Sequence, residues 1–204
     1  MPATKMKHYP LSIALRPFPG KRKNAWLSAV LLFVGSLAYN VPTTLAQVTD
    51  LSGKAVEPLK TQGANAIVLL FVRTDCPISK RYTPEIKRLA EKFATSKFYL
   101  IYPGADESAE LIQQHHQAYD YKLEALRDPQ HELVKTTGVK VTPEVAVYVA
   151  GTLVYRGRID DRVAAFGKLR PAPTVRDLEE VLDAISKGKA VTKKTTTAIG
   201  CYIS

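Results

Sequence analysis

The run Ala66-Ile67-Val68-Leu69-Leu70-Phe71-Val72-Arg73 constrains the chain more than any other feature. Seven apolar residues in a row, with β-branched and aromatic side chains among them, leave no polar face. Such a segment reads as a strand covered on both sides of its sheet. Cys76-Pro77 follows, and a proline is tolerated in the first helical turn, where its missing N–H would have no partner. Ile78, Tyr82, Ile86, Leu89, Ala90 and Phe93 then recur at helical spacing. Strand, sharp turn and helix therefore occupy residues 66–93.

Further strands and helices follow, with no internal repeat. Lys97 to Tyr102 (KFYLIY) predicts a second strand ended by Pro103-Gly104, and Asp106 to Tyr119 a polar amphipathic helix. His115 and His116 sit on that helix and read as solvated. Ala125-Leu126-Arg127 predicts a brief strand, and Pro129 to Lys135 a short helix stopped near Gly138. Val145–Val149 and Leu153–Arg158 form a hairpin across Ala150-Gly151. Thr174 is expected to cap a last helix, Val175 to Lys187, ended by Gly188. Ahead of all these, Asp50 to Lys54 reads as a turn between short extended pieces. The expected fold class is α/β, a sandwich with a central mixed sheet flanked by helices. Residues 189–204, rich in Thr and Lys, read as a flexible tail carrying Cys201.

Charge is unevenly spread. Lys5, Lys7, Arg16, Lys21, Arg22 and Lys23 lie in residues 1–46 with no acid, so they account for six of the net +10. Lysines near the end supply most of the rest, and the middle is close to neutral. No basic stripe interleaved with aromatics appears, so a nucleic-acid partner is not expected. Lys21-Arg22-Lys23 instead precede an uncharged run, residues 25–38, of signal-peptide length. A bilayer span needs about 20 apolar residues. Thr44-Leu45-Ala46 offers small residues for cleavage after Ala46. Two readings are open: a cleaved signal, or an uncleaved membrane tether through residues 25–38. Either delivers residues 47–188 as one exported domain, in a compartment that permits disulfide chemistry.

Two cysteines exclude a disulfide-dense scaffold and any four-cysteine metal centre, and no CxxCH is present. His131 has no partner at metal spacing, and neither a metal nor another cofactor is expected. Cys76 lies just past the carboxyl end of a buried strand and at the mouth of a helix. Free N–H groups and the helix dipole there favour a thiolate. Arg73, Lys80 and Arg81 add positive charge, whereas Asp75 opposes the thiolate. The plain alternative is a buried cysteine acting as a small hydrophobe.

Phe71-Val72-Arg73-Thr74-Asp75-Cys76-Pro77-Ile78-Ser79-Lys80 resembles the active-site turn of the thioredoxin fold. It is most similar to the redoxin branch, the alkyl hydroperoxide reductase and thiol-specific antioxidant proteins. Val141-Thr142-Pro143-Glu144 resembles the segment whose cis-proline faces the reactive cysteine in that fold. Gly157-Arg158-Ile159-Asp160-Asp161-Arg162, with Ile199-Gly200-Cys201, is similar to exported bacterial redoxin-domain proteins that end in a Gly-Cys segment. The resemblance spans residues 48–204 and implies a thioredoxin-like sandwich in the periplasm or cell envelope.

Departures from the family pattern shape the functional reading. Ser79 stands where thioredoxin-type CxxC enzymes carry their second cysteine, so no local dithiol cycle exists. Arg73 and Leu69 stand where peroxiredoxins carry Thr or Ser and Pro. What remains is a CPxS site with one distant thiol. Cys76 is the expected nucleophile and Cys201 its candidate resolving partner, with Thr74, Asp75, Pro77, Ser79, Thr142, Pro143 and Arg158 shaping the site. Arg158 is expected to bring positive charge near the sulfur, and Asp160 and Asp161 to point apart into loop salt bridges. The first functional expectation is a thiol–disulfide oxidoreductase. A thiol peroxidase and a non-catalytic binding module are the alternatives. The expected partners are a protein or small-molecule disulfide, thiol or peroxide and a separate electron donor.

Overall fold

The structure, a computed structural model, describes residues 48–204. The leader, the run 25–38 and the cleavage site at Ala46 lie outside the described residues. In chain order the elements are β1 (Thr49–Asp50), β2 (Ile67–Phe71), α1 (Pro77–Lys92), β3 (Lys97–Tyr102), α2 (Ala109–Tyr119), β4 (Glu124–Arg127), α3 (Glu132–Thr137), β5 (Val141–Thr142), β6 (Glu144–Val149), β7 (Thr152–Gly157), β8 (Val163–Ala165), β9 (Lys168–Leu169), α4 (Asp177–Ser186) and β10 (Cys201–Tyr202).

Six strands form one mixed sheet in the order β1-β4-β3-β2-β6-β7. The helical crossovers α1 and α2 make β2–β3 and β3–β4 parallel, while the tight turn at Ala150-Gly151 makes β6–β7 antiparallel. Strand β2 lies inside the sheet, and all five of its residues are buried. Its alternation divides the core in two. Val68, Leu70 and Val72 meet Tyr82, Ile86 and Leu89 of α1 and Leu178, Val181 and Leu182 of α4 on one face. Ile67, Leu69 and Phe71 meet Leu133 of α3 and Val139 on the other. The apolar run thus serves two layers at once, as its lack of a polar face requires.

Several boundaries move for identifiable reasons. Helix α2 starts at Ala109 rather than Asp106, because the Ser108 side chain accepts the Leu111 N–H at 3.2 Å and sets the first turn. Helix α3 is shifted to Glu132–Thr137. The Asp128 carboxylate reaches forward to the N–H groups of Glu132 and Val134 at 2.7 and 3.0 Å, and Gly138 ends the helix with φ of 71°. Thr174 does not cap α4, which begins at Asp177 after Arg176. Its backbone N–H and hydroxyl both bind the Asp161 carboxylate instead.

The histidine expectation also changes. His115 is buried rather than solvated, with Nδ1 2.9 Å from the Tyr102 hydroxyl and its ring against Tyr119 and Tyr121. Helix α2 turns this edge inward onto β3, where three tyrosines enclose it. Burial and the neighbouring His116 and Lys80 charges pull the His115 pKa down to about 4.

The tail, read as flexible from its composition, runs along the domain edge as a strap. The Lys193 ammonium binds Asp177 at 2.7 Å. Arg156 N–H donates to the Lys194 carbonyl at 3.0 Å, and Thr196 N–H donates to the Arg156 carbonyl at 3.1 Å. The Thr196 hydroxyl lies 2.6 Å from that of Tyr155 and accepts the Arg158 N–H at 3.0 Å. Gly157, at φ of 151°, lets the strap approach, since a Cβ there would stand 2.8 Å from the Thr196 nitrogen. These partners come from β7, the loop after it and the start of α4, so the composition of the tail alone carries no sign of them.

Candidate functional site

Cys76 is the N-cap residue of α1, and its sulfur accepts the Ser79 N–H at 3.5 Å. Pro77 fills the first helical position, and the first turn holds no acidic residue. The helix therefore presents unpaired N–H groups and its positive end to the sulfur. Opposite stands the Thr142–Pro143 peptide, which is cis as the family resemblance implies. Thr142 is fully buried, and its carbonyl accepts the Cys76 thiol proton at 3.1 Å.

The distant thiol arrives at the same point. β10 pairs antiparallel with β5, placing Cys201 across from Thr142 and Tyr202 across from Val141. Both cysteines are free thiols, with Sγ atoms 2.6 Å apart although 125 positions separate them. The strap covers Cys76, which is 1% exposed. Burial works against ionising Cys76, but hydrogen bonds from Cys201 and Ser79 outweigh it and hold its pKa below the ordinary thiol value. Burial together with the adjacent Cys76 pushes Cys201 up to about 12. The two sulfurs thus separate into a thiolate former and a thiol that keeps its proton.

The turn before Cys76 is clamped by groups from the β3–α2 loop. Glu107 is 1% exposed, and its carboxylate accepts the Thr74 N–H at 2.6 Å and the Gly104 N–H at 3.2 Å. Burial raises its pKa against the pull of those bonds and of Arg73. Arg73 binds Asp75 through Nε at 2.9 Å and reaches Asp106 at 3.0 Å. That pairing answers the expected opposition of Asp75, because the carboxylate next to Cys76 is already matched by a guanidinium and faces solvent. Sequence reasoning missed Glu107. The available signal was that KFYLIY ends at Pro103-Gly104, so the loop after it emerges beside the carboxyl end of the neighbouring parallel strand.

Arg158 does not supply charge at the sulfur. Its Nε donates to the buried Asp177 at 2.7 Å, because β7 ends facing the start of α4. Asp160 and Asp161 diverge as expected. Asp160 accepts from the Tyr82 hydroxyl at 2.5 Å and from the Arg162 N–H at 2.9 Å, and Asp161 pairs with Arg170 at 3.2 Å. Thr74, Asp75, Pro77, Ser79, Thr142, Pro143, Cys76 and Cys201 therefore converge within two facing segments and one strap, while Arg158 stands apart.

A family model described as AhpC/TSA matches residues 39–159, more than half of the chain. The chain belongs to the AhpC/TSA family. Among solved structures, this AhpC/TSA chain resembles a hypothetical protein from Sinorhizobium meliloti. That match has a TM-score of 0.67 and 25% identity over 77% of this chain and 88% of that one. An uncharacterised conserved protein from Geobacillus kaustophilus matches with a TM-score of 0.67 and 24% identity, over 78% and 87% of the two chains. The exposed lipoprotein thioredoxin of Streptococcus pneumoniae matches at 0.50 and 20%, over 69% and 97%. These likenesses establish the thioredoxin-like fold. Among curated proteins no sequence relative was found.

Proposed function

We propose that the protein is an exported thiol–disulfide oxidoreductase in which Cys76 attacks and Cys201 resolves. The observation that carries this reading is the approach of the two sulfurs to 2.6 Å beside the Thr142 carbonyl. The opposed pKa directions give each thiol a role. The Cys76 thiolate attacks one sulfur of a substrate disulfide; a Cys76–substrate bond forms, the substrate S–S bond breaks, and the leaving sulfur takes a proton. Forming that bond consumes the negative charge that helped to hold the Cys201 proton, so Cys201 ionises more readily. Its thiolate then attacks Cys76 Sγ and expels the second substrate sulfur, which also takes a proton. The substrate gains two electrons and two protons, and the protein is left with a Cys76–Cys201 disulfide. A thiol donor restores it through the same exchange. Pro77 and Ser79 keep the helix mouth open to the sulfur. Thr74, held by Glu107, fixes the turn. Export rests on the basic flank and the apolar run 25–38.

The family match favours a second reading, thiol peroxidase, in which Cys76 is oxidised to a sulfenic acid that condenses with Cys201 and releases water. One set of assays separates the two. Turnover of a peptide disulfide with a reductant should vanish in Cys76→Ser and slow in Cys201→Ser, and peptide mapping without reductant should recover a Cys76–Cys201 bridge. Faster consumption of hydrogen peroxide than of disulfide, with a trappable sulfenate on Cys76, would move the assignment to the peroxidase. A Cys76 thiol that titrates near ~8.5 and turns over neither substrate would leave a binding module.

A further inference from the structure

The polar groups that hold the strap converge on one carboxylate. Asp177 opens α4 and is fully buried, yet both of its oxygens are bonded. Oδ2 accepts the Arg158 Nε–H at 2.7 Å, and Oδ1 accepts the Lys193 ammonium at 2.7 Å. The first turn of a helix favours negative charge, so α4 itself supports the ionised acid. Lys193 belongs to the strap, and its bonds to Asp177 and then to Glu180 at 3.3 Å hold its pKa above the ordinary lysine value. Arg158 carries the grip onward. Its backbone N–H donates to the Thr196 hydroxyl at 3.0 Å, and its carbonyl accepts the Tyr155 hydroxyl at 2.7 Å. One buried acid thus fixes the strap at Lys193 directly and at Thr196 through Arg158.

Cys76 is 1% exposed under the strap. A substrate disulfide reaches it when the residues beyond the grip swing away, and Cys201 must then return for the resolving attack. With the grip closed, Cys201 swings from Thr196 on five residues. With the grip open, it swings from Gly188, just past the end of α4, on thirteen. An extended chain spans at most about 3.3–3.6 Å per residue, which confines the shorter tether to a reach of roughly 17 Å. Effective concentration falls roughly as the −3/2 power of tether length, so opening the grip dilutes Cys201 about fourfold. We propose that Asp177 is a positioning residue for the resolving step, setting the effective concentration at which Cys201 meets Cys76. The inference rests on the reading of Cys201 as the resolving thiol and adds what regulates its return. It also gives Arg158 a task at the strap in place of the one expected at the sulfur.

Three variants of the full chain test this. Lys193→Met cuts the strap from Asp177 at a side chain that is 40% exposed, and leaves the Arg158–Asp177 pair in place. Asp177→Asn weakens both arms, and Lys193→Arg is the conservative control. Each chain is equilibrated with reduced and oxidised glutathione, quenched in acid and alkylated, and its bridged fraction is read by mass. The square of reduced over oxidised glutathione at half bridging measures the effective concentration of the two thiols. It should fall at least about fourfold in Lys193→Met and Asp177→Asn, and stay within about twofold of the parent in Lys193→Arg. Hydrogen–deuterium exchange reads the grip without sulfur chemistry. In the Cys76→Ser chain, adding Lys193→Met should speed exchange of residues 189–197 about tenfold or more. Unaltered exchange would overturn the grip. A lowered thermal midpoint with an unmoved glutathione quotient would make Asp177 a stability residue only and overturn the positioning role. If Asp177→Asn does not fold, Lys193→Met decides the matter. A parent chain that never bridges would refute the resolving role of Cys201 itself, and this role of Asp177 with it. A parent that bridges with the same quotient as Lys193→Met refutes the positioning role alone.

Discussion

Replacing Glu107 with alanine removes the buried acceptor that ties the turn before Cys76 to the loop after β3. The carboxylate holds the Thr74 N–H at 2.6 Å and the Gly104 N–H at 3.2 Å in a site that is 1% exposed. Hydrogen bonds to a charged acceptor are worth roughly 1.5–3 kcal/mol each, and a buried donor left without a partner costs its desolvation. The longer Gly104 bond belongs at the weak end of that range. Burial raises the Glu107 pKa, so removing the carboxylate also relieves some desolvation. The balance is a loss of about 3 kcal/mol, a large share of the roughly 5–15 kcal/mol typical of a folded domain. With a urea slope of about 2 kcal/mol per molar, the unfolding midpoint should fall by about 1.5 M. Glu107→Gln keeps one carbonyl acceptor and should lose about half as much. Urea titration of the reduced full chain, followed by circular dichroism, reads both values. A Glu107→Ala midpoint within about 0.3 M of the parent would refute the clamp, since about 0.5 kcal/mol is the ordinary scatter of surface substitutions.

Removing the neighbouring thiol in Cys201→Ala takes away the largest bond that favours ionised Cys76, so the pH at which Cys76 alkylation by iodoacetamide reaches half its maximum should rise. An unchanged or lower midpoint would mean that the helix end alone sets the thiol. The His115 contribution runs the other way along the pH scale. Its folded pKa of about 4 lies below the usual histidine value of 6.5, so the unfolded chain takes up the proton first. Stability from this group is full above about 6.5 and declines as pH falls toward about 4. His115→Leu should flatten that window in urea titrations, and an unaltered pH slope would count against burial as the cause.

Local patterning carries far in this chain. The unbroken apolar run before Cys76 predicts a strand with two covered faces, and β2 feeds two core clusters for that reason. Cys76-Pro77 predicts a helix mouth, and the sulfur caps α1. Thr142-Pro143 was legible through the resemblance, and the peptide is cis. Long-range polar partners were not legible. Thr174 looked like a cap by its spacing, but its N–H and hydroxyl both donate to Asp161 once β7 and α4 are packed. The His115-His116 pair looked solvated because a helical pattern does not say which polar edge a neighbouring strand will cover. Arg158 looked close to the sulfur along the chain, yet Asp177 claims it across the fold.

Runs of apolar residues, proline positions and glycines act on their own neighbours, and by themselves they determined the layers of this protein and the placing of Cys76 at a strand-to-helix turn. The pairing of residue 76 with residue 201 belongs to the tertiary structure. It depends on Gly157 and Gly200 leaving room for a strap, on Tyr155 and Arg156 receiving it, and on β5 offering an unpaired edge. No stretch of chain contains those groups together, because they meet when distant segments close on one another and each supplies half of a hydrogen bond or half of a contact.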